Sequence, residues 1–290
     1  MDLTMLIDAL MLGGIYSLIA LGYSLIYQAT GLMSFAQGDL FMLGAFLGYT
    51  FYSLMGMSFP IALLLSVVAM FFFGMLMERF MIRKIVDRGV NRIYVVLSTI
   101  GLSIILQNAA TLIWGSLVYR MPSITKAEFI QIAGTKVAPS SLIAVGVSIV
   151  CMVCLGLFLA KTKLGTAMRA TAQDRLAASS LGINVNLSTA ITWGLATVLV
   201  AVAGIMYSPL IGVKSDMGVT IGMRGFAAAV IGGYGNLYGA VTGALLLGFL
   251  EIFVTSQFSS VLKDLFIFGI LILVLIVKPT GIFNAKVFEN

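Results

Sequence analysis

The sequence predicts an all-α, polytopic membrane helical bundle, and three observations predict it. Of 290 residues, 60% are apolar and only 10% charged, with a mean hydropathy of +1.10, against about 45–50% and about 25% in a soluble domain. The apolar residues gather into runs close to the ~20 residues a helix needs to cross ~30 Å of hydrocarbon. The polar stretches between the runs are too short to hold a domain of their own, so residues 1–290 read as a single transmembrane domain. This composition excludes a cytosolic enzyme, a disordered chain and a nucleic-acid binder. The net charge of +6 is what Lys and Arg flanking membrane spans give, so membrane lipid, and no nucleic acid, is the expected surrounding.

The first run, Met5–Tyr27, follows a segment (Met1-Asp2-Leu3-Thr4) without a basic n-region or a small-residue cleavage site, and is expected to stay as a membrane helix. Leu32–Leu54, Phe59–Met77, Ile93–Trp114, Ser140–Ala160 and Leu187–Pro209 follow, and Val261–Val277 is the last. Between the last two lies Val219–Phe253, apolar but interrupted by Gly232, Gly233, Gly235, Gly239, Gly243 and Gly248. It reads as a short helix over 219–231, a turn at Gly232–Asn236 and a full helix over 237–253. Backbone that leaves the helix at membrane depth needs protein or water to satisfy it; alternatively, the glycines only allow close helix packing. The count is eight spans, or nine if 219–231 crosses on its own.

Basic residues set the orientation. Arg79, Arg83, Lys84, Arg88 and Arg92 follow the third span, and Lys161, Lys163, Arg169 and Arg175 follow the fifth, so both segments belong on the cytoplasmic side. Asp2 and the loop Gly115–Pro139, with Arg120, Lys126 and Lys136, are then external. Lys278 and Lys286 satisfy the rule only if the count is nine.

Catalytic signatures are missing. The dipeptide Gly-Lys never occurs, so there is no Walker A loop; the sequence has no His and no G-x-S-x-G elbow. Cys151 and Cys154 lie within one apolar run without a second ligand pair, which reads as packing rather than metal binding. Polar groups at membrane depth are Asp8, Gln28, Gln37, Asp39, Gln107, Asn108 and Glu251. Ser34, Gln37 and Asp39, flanked by Gly31 and Gly38, read either as the lining of a translocation path or as interhelical hydrogen bonding, and Gly232, Gly233, Gly235 and Asn236 are further path candidates. Glu251, near a helix end, is expected to snorkel to the interface. A core this poor in charge argues against ion-coupled transport, so any energy for pumping comes from another chain.

The longest internal polar stretch, KTKLGTAMRATAQDRLAASSLGINVN (161–186), is rich in Ala and ends its helical pattern at Gly182. It reads as one cytoplasmic helix with small side chains, suited to a groove on another protein, its orientation fixed by Arg169, Asp174 and Arg175. A connecting helix on the membrane surface is the other reading.

Three stretches, GGIYSLIALGYSLIYQATGLMSFAQGDLFMLGAF (13–46), LGTAMRATAQDRLAASSLGINV (164–185) and GFAAAVIGGYGNLYGAVTGALLLGFLE (225–251), resemble the LivH-type permease of branched-chain amino-acid ABC importers, in order and almost end to end. The resemblance implies half of a translocation pathway in a bacterial or archaeal plasma (inner) membrane. It implies a second permease subunit (LivM-like) or a second copy, two ATPase subunits that carry the ATP and Mg, and an extracytoplasmic substrate-binding protein; this chain itself would hold no cofactor and no metal. By the same resemblance Gly165, Arg169, Ala170, Asp174, Ala177 and Gly182 belong to the loop that docks on the ATPase. Gln37 departs from the family, many of whose members carry His in the FAxG stretch, which bears on substrate preference. A stand-alone channel or facilitator for a small neutral solute such as urea or a short amide is the competing reading, and a scaffold without transport a third.

Overall fold

The computed structural model describes residues 3–89, 91–124, 129–132 and 135–283; Asp2, Lys126 and Lys286, which entered the charge reading, lie outside them. The chain forms α1 (Leu3–Thr30), α2 (Gln37–Tyr49, prolonged by a π-helical stretch Thr50–Leu54) and α3 (Phe59–Met77, continued through a π-helical stretch Glu78–Ile82 into α4, Arg83–Val86). Then come α5 (Arg92–Trp114), a small antiparallel hairpin of β1 (Ile130–Ile132) and β2 (Thr135–Val137), and α6 (Pro139–Lys161). The rest is α7 (Lys163–Gln173), α8 (Arg175–Ser180), α9 (Val185–Ile211), α10 (Met217–Gly232), α11 (Leu237–Gln257) and α12 (Lys263–Val277). The all-α bundle expected from composition is what the chain builds.

Among the described residues six helices are long and apolar enough to cross a membrane, and α10 is a shorter apolar helix. One expected boundary moves. The run expected to begin at Leu32 turns helical only at Gln37, because Gly31, with φ +65°, ends α1 and residues 32–34 are neither helix nor strand. The interrupted region divides as anticipated, into α10 and α11 joined through Gly233–Asn236. Pro60 and Pro139 sit in the first turns of α3 and α6, where the missing N–H would have had no helical partner.

The core is built around α1 and α9, whose small residues let neighbouring backbones come close. On α9, a Cβ on Gly204 would lie 2.2 Å from the Phe41 carbonyl oxygen of α2. Gly248 of α11 lies against Gly13 of α1, while Gln28 at the other end of α1 donates to Gly235 O at 2.6 Å, so α1 and α11 run antiparallel. Thr197 Oγ1 donates to Met70 O at 2.9 Å, pinning α3 on α9.

The two ends of the bundle agree with the charge reading. Arg83 Nη2 donates to Asn186 O at 2.8 Å, which brings the basic segment after α3 to the same end as the basic segment that precedes α9. At the opposite end, Tyr119 and Val213 exchange backbone hydrogen bonds of 2.9 and 2.8 Å, stitching the loop after α5 to the link between α9 and α10. Lys278 lies with the α10–α11 turn: Ile282 N–H donates to Ile231 O at 2.9 Å and Asn236 Nδ2 to Phe283 O at 3.1 Å.

Candidate functional site

Three regions hold the polar residues that the sequence singles out. The first is the break between α1 and α2. Ser34, Gln37 and Asp39 are all buried, at 2%, 0% and 1% exposure. Asp39, in the first turn of α2, accepts from Ser103 Oγ and, at 3.0 Å, from Gln107 Nε2 of α5. A carboxylate there also benefits from the partial positive charge of the helix N-terminus. The start of α10 lies alongside: a Cβ on Gly38 would stand 2.2 Å from Gly218 O, and one on Gly218 would stand 2.9 Å from Asp39 Oδ1. Thus α2 and α10 meet backbone to backbone at their N-terminal ends. Ser34 Oγ and both amide atoms of Gln37 have no hydrogen-bond partner among the described residues.

The residues around Ser34 alternate. Leu32, Ser34 and Ala36 are buried, whereas Met33 and Phe35 are 38% and 41% exposed. Phe35 N–H donates to Thr99 Oγ1 of α5 at 3.1 Å, and its ring packs 5.9 Å from that of Phe226 on α10. Behind it, Tyr23, Tyr27, Phe226 and Tyr234 form a run of ring contacts with centroids 4.8–6.5 Å apart. Sequence reasoning counted Met33 and Phe35 as two apolar positions of a helix and missed them.

The second region is the glycine turn after α10. Gly233 and Gly235 adopt φ of +115° and +84°, conformations that favour glycine. Gly232 faces Gly239, where a Cβ would fall 1.9 Å from a carbonyl oxygen. Asn236 Oδ1 accepts from the N–H groups of Tyr238 and Gly239 at 3.1 and 3.2 Å, capping α11. With Gln28 and Phe283 bonded to the same turn, its polar atoms are engaged with the chain itself.

A third set was not anticipated. Arg224, which sits within the run 219–231 and was not counted among the polar groups, is 4% exposed on α10. It bonds Glu251 Oε1 of α11 at 2.8 Å and Asp264 Oδ1 of α12 at 2.8 Å, and Tyr16 of α1 donates to Glu251 Oε2 at 2.6 Å. Lys263 approaches Glu251 at 3.5 Å. Glu251 therefore does not snorkel: it is buried and paired, and the core is not as poor in charge as the sequence reading held. The available signal was a single Arg inside an apolar run, since such a residue needs an internal partner.

The internal loop is helical, but as two helices rather than one. Thr162 Oγ1 accepts from Gly165 N–H at 2.9 Å and starts α7; Gly165 itself is buried, pressed against Phe158 and Leu159 of α6. Asp174 leaves helical geometry and its Oδ1 accepts from Leu176 N–H and Ala177 N–H at 2.8 and 3.0 Å, so it caps α8. Gly182, with φ +82°, follows the end of α8, as the pattern suggested. Arg169 is exposed at the edge of a groove of about 540 Å³ between α1, α6, α7 and α11, and Ala170 is half-buried. Ala177 is exposed, and beside it Leu176 and Leu181 are 82% and 81% exposed, apolar side chains with nothing covering them. Among the described residues no group of His, Cys, Asp and Glu could hold a metal ion.

Comparison with known proteins gives one consistent result. The family model for the permease component of branched-chain amino acid transport systems matches residues 5–275. The high-affinity branched-chain amino acid transport system permease protein BraD of Pseudomonas aeruginosa is 36% identical, over 99% of this chain and 97% of that one. The corresponding LivH of Escherichia coli is 33% identical over the same shares. Among solved structures, PsaBC from Streptococcus pneumoniae in complex with Fab aligns with a TM-score of 0.52 at 16% identity, over 96% of this chain and 94% of that one, a likeness of fold.

Proposed function

Since this chain belongs to the family of permease components of branched-chain amino acid transport systems, we propose that it forms half of the pathway by which an ABC importer carries branched-chain or other small amino acids across a bacterial inner membrane. The chain does no covalent chemistry in this reading. Separate ATPase subunits supply the energy, and an extracytoplasmic binding protein delivers the substrate. The observation that carries it is the exposed α7–α8 pair. Leu176 and Leu181 are left uncovered at the basic end of the bundle, on a chain without a nucleotide-binding motif, and an uncovered apolar pair there supports a docking surface. ATP-driven closure of the partners would push on α8 and, through the buried Gly165–Leu159 contact, on α6.

Gly165, Arg169, Ala170, Asp174, Ala177 and Gly182 have graded parts in this docking. Asp174 and Gly182 delimit α8, Ala177 sits on its exposed face, Gly165 anchors α7, Arg169 lies exposed at the edge of the groove and Ala170 is half-buried. A second permease subunit is the natural cover for α5, which exposes Asn108 and Thr111 at membrane depth, where polar side chains face protein or water rather than lipid.

The test is gentle extraction of the tagged chain from its native membrane, followed by mass spectrometry and uptake assays. An ATPase subunit that co-purifies, and is lost with Leu176→Asp/Leu181→Asp together with ATP-driven uptake, is the expected result. A chain that purifies alone and passes solute in vesicles without ATP overturns the reading and favours a stand-alone facilitator.

A further inference from the structure

The segment between α1 and α2 poses a physical problem whose solution assigns it a role. Helix α2 begins with Gln37 beside Gly22: Gln37 Nε2 lies 3.7 Å from where a Gly22 Cβ would be. Gly22 is eight residues before the end of α1 at Thr30, about 12 Å along the axis at 1.5 Å per residue. The connecting residues therefore climb back from the end of α1 toward the middle of the bundle without forming a helix. Along that climb the N–H groups of Met33 and Ser34 and the carbonyls of Leu32 and Met33 find no partner among the described residues. Backbone of this kind cannot face hydrocarbon; it persists at membrane depth only inside protein or beside water. Leu32, Ser34 and Ala36 lie inside this protein, whereas Met33 and Phe35, each more than a third exposed, are the part of the segment that leaves it.

Resting on the transport reading above, we propose that residues 33–36 form an extended wall of the water-filled passage and that Met33 and Phe35 are the side chains over which the aliphatic group of the substrate passes. The alternation of exposure places Ser34 and Ala36 behind that wall, where Ser34, and Gln37 after it, keep polar atoms without partners. The wall is stiff. Its Phe35 N–H is held by Thr99, and the Phe35 ring leans on Phe226, itself packed between Tyr23 and Tyr234. An apolar surface on a rigid backing gives an aliphatic side chain contact without tight binding, which a transported substrate requires in order to leave. The polar path candidates Ser34, Gln37 and Asp39 then support the wall rather than touch the substrate.

The experiment is cysteine substitution at 33, 34, 35 and 36, one at a time, in a Cys151→Ser/Cys154→Ser background of the assembled transporter. Membranes are prepared as both right-side-out and inside-out vesicles and treated with a charged, membrane-impermeant thiol reagent, with and without ATP and with leucine as the substrate probe. Labelling at Met33→Cys and Phe35→Cys at least tenfold faster than at Ser34→Cys and Ala36→Cys, in one vesicle orientation or in both, is expected, and saturating leucine should slow labelling at 35 several-fold. Equal labelling at all four positions overturns the alternating wall. Reaction at 33 and 35 only with a lipid-soluble reagent overturns the aqueous passage, and alternating labelling indifferent to leucine overturns the substrate contact. Co-purification of the ATPase with each variant verifies assembly. ATP-driven uptake by the parent, measured in the same vesicles, reports on the transport reading separately from the labelling pattern.

Discussion

Helices α9 and α5 are alike in sequence terms and opposite in the structure. Their most apolar stretches have mean hydropathies of 2.0 and 1.7, yet 72% of the first is buried and only 17% of the second. The difference lies in side-chain size. α9 carries Gly194, Ala196, Ala201, Ala203 and Gly204, which let α2 and α3 approach its backbone. α5 carries Ile100, Ile104, Ile105, Leu112 and Ile113 on its open sides, with Asn108 and Thr111 among them. In a membrane, where water does not drive helices together, packing follows from small residues and interhelical hydrogen bonds. Hydropathy finds both helices and says nothing about which is central.

Several substitutions would break or sharpen that contrast. The largest loss is expected in the charged cluster shared by α1, α10, α11 and α12. Arg224→Ala takes from buried Glu251 its nearest cation and leaves it only the Tyr16 hydroxyl and the more distant Lys263, a change that costs about 3–5 kcal/mol, and it should abolish recovery of a monodisperse protein by size-exclusion chromatography. The double variant Arg224→Met/Glu251→Leu should regain most of it; failure to regain any would mean that the pair does more than offset each other's charge. Next comes Gly204→Val, which drives a branched side chain into the Phe41 carbonyl and should lower stability by about 1–3 kcal/mol, seen as a fall in Tm in detergent. A Tm unchanged from the parent would show that α2 can yield at that crossing. On α5 the expected effects are small. Leu112→Ala should change the stability of the isolated chain by no more than about 0.5 kcal/mol, seen as a nearly unchanged Tm, whereas Asn108→Leu should weaken association with the second permease subunit by about 0.6–2 kcal/mol, seen as its reduced recovery. If Asn108→Leu instead strengthens that recovery, α5 faces lipid and the contrast with α9 needs another cause.

Much of the architecture was legible because hydropathy and glycine act locally. The break at Gly232–Asn236 was visible from clustered glycines, and the end of α8 from Gly182. The helical character of the internal loop 161–186 was legible, but not its division in two, since Asp174 reads equally well as a surface charge of one helix and as the cap of a second. Arg224 was lost inside an apolar run whose average it hardly changes. Ser34, Gln37 and Asp39 were picked out for polarity and lie buried at the α1–α2 break, where the exposed side chains are Met33 and Phe35. Which face of an extended segment looks outward depends on its backbone path, and no residue type in LMSFA announces that path.

The stitch between Tyr119 and Val213 makes the outer end of the molecule a lever. Its two backbone hydrogen bonds join the loop that leaves α5 to the link that enters α10, and α5 and α10 are the helices that hold Phe35 from either side. The loop and the link are thereby tied at one point, so their positions at that end of the bundle are set together. The two helices form a yoke, with Phe35 at its crossbar.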